Sequence, residues 1–241
     1  MKTRFIISAI AICGLLVPAS STALTETADS VIGKSVVAVG GIKNLRSVND
    51  MVVKGSLKSG GLIGSFIAYS KVPNKYRVDV DFGSVKYSEG FDGRIAWQSN
   101  RGKIAQLAGA EAEFVKKEAY DSNDLLLRYK ARGITTELLG TRKVGSRSAH
   151  VVGWKYPDGS VKKIFVDSQS FLVLGEERFR PSKTGKKTLE LSVYSDFRPI
   201  NGLISPFKVT VINQFGKSEL FIREIQNNTS IPLSTFQKPA K

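Results

Sequence analysis

From Asp50 onward, apolar and polar residues alternate with a period of two, the pattern of strands that bury one face. YRVDVDF shows it most clearly: Tyr76, Val78, Val80 and Phe82 fall on one side, and Arg77, Asp79 and Asp81 on the other. Comparable runs occupy 50–58, 61–70, 84–90, 94–98, 134–140, 147–156, 160–167, 171–180, 187–196, 206–214 and 217–225. Asp92-Gly93, Pro157-Asp158-Gly159 and Gly216 separate several of them with residues suited to tight reversals. Hairpin after hairpin predicts an antiparallel sheet large enough to curl or close.

Two stretches follow a helical pattern instead. Over 28–46, Ile32, Val36, Val39 and Ile42 recur at spacings of three and four, which places them on one helical face. Asp29 or Ser30 is expected to cap its start, and Gly40-Gly41 to end or bend it. Residues 107–131 are rich in helix formers, and Asp121 or Ser122 is expected to divide them into two helices, the second carrying Leu125, Leu126 and Leu127. The tail from Thr229 reads as a strap across the domain that frays at its end. The expected architecture is one mainly β domain with a leading helix and a central helical insertion.

The hairpin KKIFVDSQSFLVLGEERF (162–179) is apolar on both faces. Ile164 and Val166 point one way and Phe165 the other, whereas a surface hairpin needs only one apolar face. Of Ile164 and Phe165, Phe165 is the one expected to look into the interior.

The first 23 residues stand apart. Lys2 and Arg4 precede an apolar run from Phe5 to Val17, and Ser21-Thr22-Ala23 supplies small residues for cleavage. That is the layout of a secretory signal peptide, and the run is short for a membrane span, which needs about 20 apolar residues. Ile12 before Cys13 is not the small residue that a lipoprotein signal requires. Residues 24–241 hold no cysteine, since the single one is Cys13. Their fold therefore rests on an apolar core, although an exported compartment such as the periplasm would permit disulfides. This region carries 34 basic against 21 acidic residues, a net charge of +13. Such a charge favours anionic surfaces, which for an exported protein means lipid headgroups rather than nucleic acid. Plain solubilisation by surface lysines is the competing explanation.

Catalytic and cofactor chemistry finds little support. His150 is the only histidine, and without a mature cysteine a thiol nucleophile or a zinc site of several His and Cys ligands is excluded. No G-x-S-x-G elbow accompanies His150, and GKS at 33–35 lacks the earlier glycine of a phosphate-binding loop. Asp79 with Asp81 and Glu176 with Glu177 read as solvated surface, because catalytic carboxylates need environments that separate their pKa values. The expectation is a protein that is not an enzyme and takes no metal or cofactor.

Several blocks together resemble the outer-membrane lipoprotein-sorting family, that is LolA, LolB and RseB-like proteins. AVGGIKNLRSVNDMVVKGSL (38–57) is similar to the family's helix-to-first-strand passage, VPNKYRVDV (72–80) to its Pro-x-x-x-Arg strand, and GFDGRIAWQ (90–98) to its Asp-Gly hairpin before tryptophan. WKYPDGSVKKIFVDSQSFLVL (154–174) and YSDFRPINGLISPFKVTV (194–211) follow in the family's order. The resemblance implies an open, strongly curved antiparallel β-barrel of about eleven strands with helices over its mouth, and a hollow that takes acyl chains of lipids or lipoproteins. Strand faces bearing Phe66, Val78, Trp97, Val152, Trp154 and Phe165 are the candidates for its wall, against ordinary core packing. Ile32, Val36 and Val39 would lie on a lid helix. The expected function is a periplasmic carrier or binder of acylated molecules that meets anionic membrane surfaces transiently. An envelope sensor or scaffold that binds a protein partner is the alternative.

Overall fold

The computed structural model describes residues 26–182 and 184–240, and within them no side chain for 123–125. The proposed signal peptide therefore lies outside the described residues, as does the side chain of Leu125.

The chain opens with two short helices, α1 (Ala28–Ala38) and α2 (Gly41–Ser47). Between them Gly40 and Gly41 have φ of 123° and 84°, values that side-chain-bearing residues avoid, so the predicted helix breaks at the glycine pair. The cap is Thr27, whose Oγ1 accepts from the Ser30 amide at 3.1 Å. Asp29 does other work: it accepts from Tyr129 (2.6 Å), Lys130 (2.5 Å) and Thr136 (3.2 Å), tying α1 to the far end of the helical insertion.

Six strands follow: β1 (Asp50–Ser59), β2 (Leu62–Lys71), β3 (Lys75–Asp81), β4 (Lys86–Phe91), β5 (Ala96–Asn100) and β6 (Lys103–Gln106). The helical insertion is one unbroken helix, α3 (Gly109–Arg128), rather than two. Asp121 does not break it, because its carboxylate turns inward to Tyr156 and Lys162 instead of competing for the helix backbone. Seven more strands return: β7 (Thr135–Val144), β8 (Arg147–Lys155), β9 (Val161–Asp167), β10 (Val173–Pro181), β11 (Lys187–Ile200), β12 (Leu203–Asn213) and β13 (Gly216–Asn227).

All thirteen strands form one sheet in the order β6-β5-β4-β3-β2-β1-β13-β12-β11-β10-β9-β8-β7, two more than the resemblance implied. The alternation missed β6, four residues long with one large apolar side chain. Every pairing is antiparallel, and β1 pairs with β13 in the middle. The chain thus runs from the centre to one edge, crosses on α3 to the opposite edge, and returns hairpin by hairpin. β6 and β7 are not paired with each other, so the sheet stays open.

Its curvature follows from α3, which packs against β2 to β5 and also against β10. Arg180 on β10 reaches Glu89 on β4 at 2.5 Å, although six strands separate them in the sheet. The sheet must therefore wrap around α3, and the face that α3 touches is the concave one.

Four apolar clusters hold this arrangement. On the concave face, Phe91 and Ala96 pack on Phe114, Val115 and Ala119 of α3. At the β7–β9 edge, Val31 and Ile32 of α1 pack with Tyr129, Val152, Trp154, Ile164 and Val166. On the convex face, the C-terminal strap sets Ile231 and Phe236 against Val52. Also convex is a cluster of Ala149, Val151, Phe165 and Leu174.

Candidate functional site

Strand register assigns each candidate to a face. Phe66 pairs with Gly55 and Val80, and Val80 with Tyr87, whose hydroxyl donates to the same Glu89 that meets Arg180. Phe66, Val78 and Val80 are therefore concave. Phe66 is buried because it lies over Gly55, where a Cβ would come within 2.7 Å of its ring. Val152 and Trp154 are concave too, but sealed: both have no exposed surface, α1 covers them, and the Tyr129 ring sits 5.0 Å from Trp154.

Two candidates belong to the other face. Trp97 is convex; it lies over Gly90, its Nε1 donates to the Phe236 carbonyl at 2.8 Å, and the Arg77 guanidinium stacks 5.4 Å from its ring. The strap buries it, not a hollow. Phe165 is also convex, and Ile164 is the residue that faces α1. The second apolar face of the 162–179 hairpin is covered by the protein itself: Val144 of β7 and Leu191 and Phe197 of β11 close around Phe165, with Arg142 4.5 Å from its ring. Alternation finds the two faces but cannot say which is concave, since both are apolar here.

Of the lid residues, Ile32 is buried against β8 and β9, while Val36 and Val39 are half-buried. The Val39 carbonyl accepts from the Ile204 amide at 3.0 Å, and Asn44 donates to the carbonyls of Gly40 (2.9 Å) and Gly202 (3.0 Å). The α1–α2 junction is thereby fastened to the β11–β12 turn.

Between the sealed edge and α3, the concave face carries an apolar wall that no expectation located fully. Register places Leu57, Leu220 and Val209 in one row across β1, β13 and β12, and Phe207, Ile222, Phe66 and Val80 in the next. Val53, Val78, Val80, Val209, Leu220 and Ile222 remain half-buried, so apolar atoms face open space within the curve.

The rest of the concavity is charged. Lys162 donates to Asp121 (2.7 Å) and Glu176 (3.2 Å), and Tyr156 donates to Asp121 (2.6 Å). Arg178 meets Glu118, Glu176 and Glu190, and the Phe114 ring lies 5.1 Å from the guanidinium of Arg178 and 4.7 Å from that of Arg180. Glu176 is thus an interior residue, not the solvated one expected, whereas Glu177 faces outward to Lys163 at 2.8 Å. Asp79 and Asp81 sit on surface ion pairs with Arg77 and Lys86. Burial opposes the charge on Lys162, but Asp121 and Glu176 outweigh it and raise its pKa well above normal. Burial would raise Glu176, yet Lys162 and Arg178 hold it below the usual carboxylate range. For Glu118 burial prevails over Arg178, and its pKa is raised. Beside this network a cleft of about 430 Å³ opens between α3, the 158–162 segment and the end of β10.

His150 stacks on Phe171 at a ring distance of 6.1 Å. Among the described residues no three His, Asp or Glu side chains are grouped to hold a metal, and no helix is long and apolar enough to cross a membrane.

The chain is thus an open antiparallel sheet wrapped around a crossover helix, with an apolar concave wall. No protein-family model matches the sequence, and no curated protein matches it in sequence. Solved structures share its fold. A LolA superfamily protein from Nitrosomonas europaea matches with a TM-score of 0.59 over 88% of this chain and 98% of its own, at 15% identity. A DUF1329 family protein from Desulfovibrio piger matches with 0.57 over 88% and 98%, at 13% identity. A putative outer membrane lipoprotein-sorting protein domain from Vibrio parahaemolyticus matches with 0.52 over 87% and 96%, at 12% identity. This chain shares the fold of these three proteins.

Proposed function

We propose that the protein holds acyl chains of lipids or lipoproteins in the periplasm, as a carrier or binding protein rather than an enzyme, with 1–23 as its export signal and 24–241 as one binding domain. The observation that carries this reading is the row of half-buried apolar side chains on the concave face, from Val53 and Val78 to Val209 and Ile222. Apolar burial contributes about 0.8 kcal/mol per methylene. About ten methylenes on the wall therefore reach the scale of micromolar affinity without specific polar contacts. Charges on α3 and β10 occupy part of the concavity, so the space suits one or two chains rather than a bulky apolar body. α1 covers Val152 and Trp154, and its movement would extend the wall toward β8. Binding and release need no nucleotide or metal, only a receiving site of higher affinity.

Native mass spectrometry with lipid extraction, on protein purified from its own periplasm, tests this. Co-purifying acylated species and uptake of a fluorescent fatty acid are expected, with Val209→Lys or Leu220→Lys weakening uptake at least tenfold. Consistently empty protein that takes up no fatty acid would sink the carrier reading. A salt-sensitive protein partner recovered in its place would favour the sensor or scaffold.

A further inference from the structure

The open ends of three neighbouring hairpins form a surface of their own. The turns β1–β2, β12–β13 and β10–β11 are consecutive along the sheet and lie at one end of it. Six of the eleven large apolar side chains exposed among the described residues cluster there: Leu62, Ile63, Phe179, Leu189, Ile212 and Phe215. Phe215 sits at a turn and is 82% exposed, Ile63 is 69% exposed, and Phe179 and Leu189 are a directly opposed cross-strand pair. A turn exposed to water has no folding reason to carry such residues.

The charge around them has one sign. The stretches 58–63, 179–189 and 212–217 contain no acidic residue. Lys58, Lys186, Lys187 and Lys217 are exposed among the apolar tips, and Lys86 and Lys103 extend the collar along the next two turns. The carboxylates that border it already have basic partners: Asp81 faces Lys86, Glu190 faces Arg178, and Glu219 faces Lys208 and Lys217.

We infer that this three-hairpin end docks on an anionic lipid surface, with Phe215, Ile63 and Leu62 entering the headgroup–acyl boundary and the lysines meeting lipid phosphates. A second copy of the chain is disfavoured, because two such ends would bring like charges together. The apolar residues project from separate tips rather than form a groove. A bilayer accepts that geometry in any register, and a folded partner does not. Phe179 and Lys187 also line the 430 Å³ cleft, so docking would set the mouth of the interior against the membrane. The inference rests on the proposed export to the periplasm and is independent of the acyl-chain wall.

Flotation of the exported protein, purified from the periplasm, with phosphatidylglycerol/phosphatidylcholine vesicles tests it, with pure phosphatidylcholine vesicles as control. Binding is expected only to the anionic vesicles and to fall with added salt. Phe215→Ser with Ile63→Ser should weaken it about tenfold or more, and each of Lys186→Gln, Lys187→Gln and Lys217→Gln about fivefold. An environment-sensitive probe on Phe215→Cys should shift to the blue on anionic vesicles. The same probe on Gln169→Cys, in the β9–β10 turn at the other end, should not. No binding, equal shifts at both positions, or tip variants that bind like the wild type would overturn the inference. So would a dimer that the tip substitutions dissolve while vesicle binding persists. Vesicle binding without fatty-acid uptake leaves it standing and removes the carrier reading; uptake without vesicle binding does the reverse.

Discussion

Asp50 shows how one side chain fastens a long-range element. Its Oδ1 accepts from the Thr229 amide (2.7 Å) and hydroxyl (3.1 Å), and its Oδ2 from Lys71 (3.0 Å) and the Ile231 amide (3.2 Å). Burial alone would raise its pKa, but these donors outweigh it and hold the carboxyl below the usual range. A depressed carboxyl pKa gives stability that is full above the unfolded value, about 3.9, and lost as pH falls through the folded one. Trp97 under the strap reports this: with Trp154→Phe in the background, its emission should shift to the red on acidification below about pH 4. In Asp50→Asn the shift should already be present near neutral pH, at a cost of about 1–3 kcal/mol in urea titration. Arg178 is the second case. Arg178→Ala strands Glu118 and Glu190, leaves Glu176 to Lys162 alone, and should cost about 3–5 kcal/mol. Glu118→Gln should cost far less, since burial already favours the neutral form there and Glu176 and Glu190 still face the arginine; equal losses would show that the network does not act as a charge balance. Asp50 and Glu176 were visible only as polar residues in strands. Thr229 lies 179 residues from Asp50, and Glu118 lies 60 residues from the Arg178 that it shares with Glu176, and no local pattern encodes such pairings.

At the scale of elements, twelve of the thirteen strands could be read from the period-two runs and the turns between them; most leave one face partly exposed, while β8 and β9 are covered on both. The helix break at Gly40-Gly41 was equally legible, since only glycine adopts those φ values without strain. α3 was not: Asp and Ser disfavour helix interiors by competing locally for the backbone, but Asp121 has an ionic partner across the concavity that removes the competition. The junction of α1 and α2 gives an element-scale prediction. Asn44→Ala removes the side-chain bonds to Gly40 and Gly202 and should cost about 1 kcal/mol. If α1 gates the wall, fatty-acid uptake in stopped-flow should become several-fold faster; an unchanged rate would place the entry elsewhere.

For the whole molecule, stability comes from the sheet, its four apolar clusters and the buried ion network. With no cysteine in 24–241, reducing agent should leave the melting temperature of the exported protein unchanged. A drop on reduction would mean that Cys13 is retained and cross-linked. The sheet is open because β6 and β7 are not paired, and the crossover helix that keeps them apart also fills part of the space it encloses.

The sequence by itself determined the mainly β class, the hairpin order, the helix break, the strap and the basic charge. Each of these is a local or additive property of residue types. Only the tertiary structure decided which apolar face of each strand is concave. It moved Trp97 and Phe165 to the convex side, kept Phe66, Val78, Val152 and Trp154 inside, and brought Glu89 and Arg180 together across six strands. The physical reason is the curl of the sheet: alternation gives every strand two faces, and which one looks inward depends on long-range packing around α3.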